Sequence, residues 1–90
     1  MDVIVEFNEA AFRHGINKED ILHALKTKIY DVWIGELPEK YAVIGFDRNW
    51  NPLEVFYNPI DDNNINVFHA MRVRNSTLKK IGVKEIKWQE

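Results

Sequence analysis

The sequence has no cysteine. That absence rules out a disulfide framework and a thiolate zinc site, and it points to a reducing compartment. No apolar run approaches the roughly 20 residues that a membrane-spanning helix needs. The opening Met-Asp-Val-Ile-Val-Glu carries no basic region, so no signal peptide is expected and the chain reads as cytoplasmic. A glycine-rich phosphate loop, a nucleophile elbow and a metal-binding helix motif are all missing, which leaves little support for an unrelated small-molecule enzyme. Asp61, Asp62, Asn63 and Asn64 are rich in oxygen, but they lack the graded ligands and distal glutamate of a calcium loop. There are no internal repeats, low-complexity segments or linkers. A strong positive balance is missing too: the net charge of −2 argues against a strongly cationic nucleic-acid binder.

What is present is one domain spanning residues 1–90, with 46% apolar and 29% charged residues. A chain of this length buries roughly 60–65% of its unfolded surface, so its stability margin is thin. The charge is unevenly spread. Residues 1–68 carry six Lys/Arg against twelve Asp/Glu, a balance of −6, and residues 69–90 carry six against two, a balance of +4. A basic end on an acidic body suits local phosphate binding, docking by an acidic partner, or an ordinary solvated helix face.

Along the chain, Val3, Val5 and Phe7 alternate with Ile4 and Glu6 and predict a first strand. Asn8 suits the N-cap of a helix-compatible Glu9 to Arg13, which His14-Gly15 ends with Gly15 free to turn left-handed. His14 then stands in a last turn, where the helix dipole favours its charged form. Asn17 caps a helix over about Lys18 to Lys28, in which Ile21, Leu25 and Ile29 recur every four residues beside Leu22 and Ala24. His23 falls off that stripe and reads as a surface residue.

From Tyr30 the period changes to two. Val32 and Ile34 mark a second strand, which stops near Gly35. Ala42, Ile44 and Phe46 mark a third, from Tyr41 to Asp47. Turn formers from Asp47 to Pro52 lead to a fourth, Leu53 to Asn58, with Leu53, Val55 and Tyr57 on one face and Glu54 and Phe56 on the other. Ile65 to Met71 is a fifth. Short connections imply antiparallel neighbours. Asn75 or Ser76 caps a last short basic helix, which Leu78 and Ile81 pack and Gly82 ends. Val83 to Glu90 reads as a final strand or a tail. The fold class is α+β: an antiparallel sheet of four to five strands, two N-terminal helices and a short C-terminal basic helix.

The stretch Ile65 to Arg74 carries the chemistry. Ile65, Val67 and Met71 alternate onto one face with His69 in register, and two arginines, Arg72 and Arg74, follow. His69 has two readings here, a hydrogen-bonded core residue or a proton carrier placed beside anion binders. Glu54 likewise reads as a solvent-side strand residue or a member of a site. Trp33, Trp50 and Trp88 suit core packing, base stacking or a partner contact, and Trp50, in a turn, is expected to be exposed.

The order of these features resembles the BrnT-like toxins of bacterial type II toxin–antitoxin systems, a branch of the RelE-like ribonuclease fold. The resemblance rests on Arg13-His14-Gly15-Ile16 before a capped helix, Ala42-Val43-Ile44-Gly45-Phe46-Asp47, Leu53-Glu54-Val55-Phe56-Tyr57, and His69-Ala70-Met71-Arg72-Val73-Arg74. It spans about Phe7 to Ile81. It implies a small cytoplasmic ribonuclease that cleaves messenger RNA without a metal or other cofactor. It also implies a cognate antitoxin as partner, with DNA engaged only through that antitoxin. Catalytic arginines at the end of the last core strand correspond to Arg72 and Arg74. Many relatives have serine or another residue where this chain has His69.

Metal-free RNA cleavage needs a base for the 2′-hydroxyl, cations for the phosphoryl charge and an acid for the 5′-oxygen. Arg72 and Arg74 suit the phosphate, His69 a proton transfer, and Glu54 or His14 the second proton. Lys79, Lys80 and Trp50 are candidate RNA contacts. His69 and Arg72 are an odd number apart and face opposite sides of a straight strand, so the scheme needs the strand to end or twist between them. The alternative is a non-catalytic toxin-like module whose surface docks a partner protein.

Overall fold

A computed structural model of the chain describes residues 3–84. It is a small α+β fold built on one five-stranded mixed sheet. The strands are β1 (Ile4–Phe7), β2 (Tyr30–Gly35), β3 (Lys40–Phe46), β4 (Pro52–Pro59) and β5 (Asn64–Arg72). Helix α1 (Lys18–Lys26) lies between β1 and β2, and the short helix α2 (Asn75–Lys80) follows β5. The expected final strand or tail over 83–90 falls largely outside the described residues. No helix among the described residues is long and apolar enough to cross a membrane.

The sheet order is β1-β5-β4-β3-β2. β2 to β5 form an antiparallel meander, as their short connections require. The expectation of a wholly antiparallel sheet fails at β1, which joins the edge of β5 in parallel, with Val5 opposite Ile65 and Phe7 opposite Val67. Hairpin logic sets the direction of consecutive strands only. β1 and β5 are far apart in the chain, so no turn fixes their orientation.

The first of the two expected N-terminal helices is only a four-residue 3₁₀ turn, Glu9–Phe12. Asn8 does cap it, its Oδ1 accepting from the Ala10 amide at 2.9 Å. Gly15, at φ +80°, stops it before an α-helix can propagate. Asn17 caps α1 as expected, accepting from the Asp20 amide at 2.9 Å. The helix ends two residues early, because the Thr27 hydroxyl turns to β3, accepting from the Phe46 amide at 3.0 Å while donating to the His23 carbonyl at 2.8 Å. Ile29 has therefore left the helical stripe and is exposed rather than core-facing. His23 is not a free surface residue either: its Nδ1 lies 2.7 Å from the Phe46 carbonyl.

The core lies between α1 and one face of the sheet. Ile21 and Ala24 of α1, with Ala11 of the 3₁₀ turn, pack on Val43, Leu53, Val55, Val67 and Ala70. Burying each large aliphatic side chain here contributes about 1.5–3 kcal/mol. β3 is an inner strand, so its opposite face is buried as well, through Ala42 and Ile44. The helix sits so close that a Cβ on Gly45 would lie 1.9 Å from the Ala24 carbonyl oxygen. Gly45→Ala is accordingly expected to destabilise by at least about 2 kcal/mol, since rigid backbone cannot yield to the added methyl. Urea unfolding measures this, and a variant with an unchanged midpoint and slope contradicts the packing.

Candidate functional site

The site is built where β4, β5 and α2 meet. β4 places Leu53, Val55 and Tyr57 towards α1, so Glu54 and Phe56 point to the opposite face. β5 would carry His69 on the α1 side if it alternated without interruption from Val67. It does not. Phe56 pairs with His69 and Tyr57 with Val67, which leaves Phe68 as the extra residue of a β-bulge. Beyond the bulge Ala70 continues the core face of Val67, and His69 and Met71 turn to the face of Glu54. The expected grouping of His69 with Ile65 and Val67 is corrected by that single inserted residue.

Glu54 is fully buried and accepts four hydrogen bonds from His69 and Arg74. Its Oε2 meets His69 Nε2 at 2.8 Å, Arg74 Nη2 at 2.6 Å and Arg74 Nε at 3.0 Å, and its Oε1 accepts from the Arg74 amide at 2.9 Å. The Thr77 hydroxyl donates as well. Burial alone would push this carboxyl up. The hydrogen bonds from His69, Arg74 and Thr77 outweigh it and hold the group down at about 2, from an ordinary value of 4.5. Glu54 is thus a fixed anion and neither a solvent-side strand residue nor a proton carrier at neutral pH. The Arg74 guanidinium is raised by the same pair, and its side chain remains 46% exposed.

The His69 ring is clamped in plane as well as in position. It stacks on Phe56 at 4.4 Å between centroids, with 27° between planes. Its side chain is 18% exposed. With Nε2 donating to Glu54, Nδ1 is the free nitrogen: among the described residues it has no hydrogen-bond partner. The exposed ring of His14 stands edge-on to His69 at 5.4 Å, just after the 3₁₀ turn that packs against β5.

Four of the expected site residues therefore converge: Glu54, His69, Arg74 and His14. The others do not. β5 runs regularly past Ala70 to Arg72, which pairs with Leu53 and so lies on the α1 side, opposite His69. The strand does end before Arg74, the N-cap residue of α2, and this lets Arg74 fold back onto Glu54. Asn75 and Ser76, the expected caps, are the first helical residues instead. Lys79 and Lys80 are exposed on α2 and form no ion pair with the carboxylate. Trp50 is exposed in the β3–β4 turn, as expected, and Trp33 is half exposed on the edge strand β2 rather than in the core. Trp88 lies outside the described residues. Sequence reasoning missed Phe56 and Thr77. The shared face of Glu54 and Phe56 was a signal for the first, whereas nothing local marked the second.

No protein-family model, curated protein or solved structure matches the chain. The functional reading therefore rests on this geometry and on the resemblance carried by the sequence motifs.

The depressed carboxyl makes a signed prediction. A group held below its unfolded value contributes stability that is present above pH 4.5 and lost as pH falls through 2. Glu54→Gln is expected to be less stable than wild type by on the order of 3 kcal/mol at pH 7. That gap should close between pH 4.5 and 2. A gap independent of pH, measured by denaturant titration across that range, contradicts an ionised Glu54.

Proposed function

We propose that this chain is a metal-independent ribonuclease of the BrnT-like, RelE-like toxin type, acting in the cytoplasm and neutralised by a cognate antitoxin protein, with DNA contacted only through that antitoxin. One observation carries the reading: a buried, ionised glutamate that holds an imidazole and a guanidinium together at the open end of a sheet. This is the arrangement metal-free RNA cleavage asks for.

In this reading the free Nδ1 of His69 takes the proton of the 2′-hydroxyl, while Glu54 holds the other nitrogen and stabilises the resulting imidazolium. The 2′-oxygen attacks phosphorus and the bond to the 5′-oxygen breaks. His14 in its protonated form returns a proton to that leaving oxygen. The products are a 2′,3′-cyclic phosphate and a 5′-hydroxyl. The guanidinium edge of Arg74 not turned to Glu54 offers donors to the phosphoryl oxygens as charge develops there. Glu54 and Arg72, both candidates for direct chemistry on the sequence, fall outside this scheme as proton carrier and catalytic arginine respectively.

A second reading has its own support. Arg74 gives Glu54 two guanidinium bonds and its backbone amide, so the network also serves to pin α2 to the sheet. In a non-catalytic module that docks a partner protein, pinning is its whole purpose.

Expression in a bacterium separates the two. The ribonuclease reading expects growth arrest and loss of full-length messenger RNA. His69→Ala should relieve both, with cleavage by purified protein in a chelator falling about 10²–10⁴-fold. Arg74→Lys, which keeps the charge but loses the fork, should also cut activity while remaining folded. Normal growth with intact RNA and abundant folded wild-type protein contradicts the ribonuclease and favours the docking module.

A further inference from the structure

Trp50 is held in a backbone conformation that tryptophan avoids. Its φ is +63°, a left-handed value that glycine or asparagine adopts readily and a bulky side chain does not. The turn around it is over-determined. The buried carboxylate of Asp47 accepts from the amides of Asn49 at 2.9 Å and Asn51 at 2.8 Å and from the Asn51 side chain at 3.1 Å. The Asp47 carbonyl accepts from the Trp50 amide at 2.9 Å. The indole stands edge-on to His23 at 5.3 Å and tilted against Phe46 at 5.9 Å. His23 is itself fixed by the Phe46 carbonyl. Yet Trp50 is 63% exposed. The sequence thus places a large flat ring at a position suited to asparagine, packs one side of it and leaves the rest open.

Its neighbourhood indicates what the ring meets. The Val73 amide donates to the Pro52 carbonyl at 3.1 Å, so the turn and the exit of β5 share one end of the sheet. Arg72 emerges there on the α1 side, the side on which Trp50 contacts His23. Trp50 lies in the turn that joins β3 to β4, and Arg72 ends β5, the strand on the other side of β4, so both residues belong to this end of the sheet. Arg72 is exposed and has no ion-pair partner among the described residues, unlike Arg74 and Arg48, which are engaged by Glu54 and Asp20. An open ring and an unengaged guanidinium on one end and one side of the sheet match a ligand that alternates aromatic faces with phosphates.

We propose that Trp50 and Arg72 form a subsite for single-stranded RNA, Trp50 stacking an unpaired base and Arg72 holding a nearby phosphate. This deepens the ribonuclease reading and rests on it. It also gives Arg72 a role that its face of β5 permits: binding the strand as it crosses the sheet end towards His69.

The probe is a labelled hexaribonucleotide carrying 2′-O-methyl groups throughout, which binds without being cleaved. Anisotropy reads its affinity, and thermal unfolding confirms each variant's fold. Trp50→Asn suits the left-handed position and keeps the fold; its affinity should fall about ten-fold or more, while Trp50→Phe retains most of it. Arg72→Ala should weaken binding and reduce the salt slope by about 0.7. Equal affinity of wild type and Trp50→Asn overturns the subsite, and persisting cleavage would then leave the ribonuclease standing. Binding that depends on Trp50 with no cleavage of natural RNA supports the subsite and removes the nuclease. A wild type that does not bind the hexamer overturns the subsite whether or not longer RNA is cut.

Discussion

The Glu54 carboxylate is the constraint on which this end of the molecule depends. A buried charge is tolerated only when its hydrogen-bonding capacity is met, and removing one partner is far more damaging than never having had the pair. Glu54 meets that condition with groups from two other elements: His69 of β5, and Arg74 and Thr77 at the start of α2. The same anion thus orients an imidazole, anchors a guanidinium and ties the last helix to the sheet. Structural and chemical roles are not alternatives for such a group. A proton carrier works only when held in one orientation, and an ionised partner at hydrogen-bond distance provides that hold.

The charge layout reconciles the acidic total with the proposed RNA substrate. The meander places the β2–β3 and β4–β5 loops, with Glu36, Glu39, Asp61 and Asp62, at the end of the sheet opposite Arg72 and Arg74. At the arginine end, Asp20 is neutralised by Arg48 at 2.9 Å, Asp47 serves its own turn and Glu54 is buried, although Glu9 and Glu19 remain exposed there. Net charge is a statement about the whole surface, whereas phosphate binding depends on which cations at one place lack partners.

Much of the architecture was legible in the sequence because it is written in periodicity and punctuation. Strands β2 to β5, the capped helix after Asn17 and the left-handed glycines at 15 and 82 follow from local patterns. What was not legible depends on registration between segments. One inserted residue at Phe68 moves His69 and Met71 across the sheet, and nothing in β5 alone announces it. The parallel seat of β1, the early end of α1 at Thr27 and the return of Arg74 to Glu54 are likewise decided by partners distant in the chain. The candidate residues of the site were visible as types. Their grouping was only half visible, since spacing cannot tell Arg72 from Arg74 until the strand's end is known.

The most direct test of the account is a carbon-detected NMR titration of the Glu54 side-chain carboxyl, with the His69 ring resonances followed in the same samples. The account predicts a carboxyl midpoint near 2, with the His69 signals responding as Glu54 is neutralised. A midpoint at the ordinary 4.5, with His69 indifferent to it, would contradict the buried anion as the pin of this site.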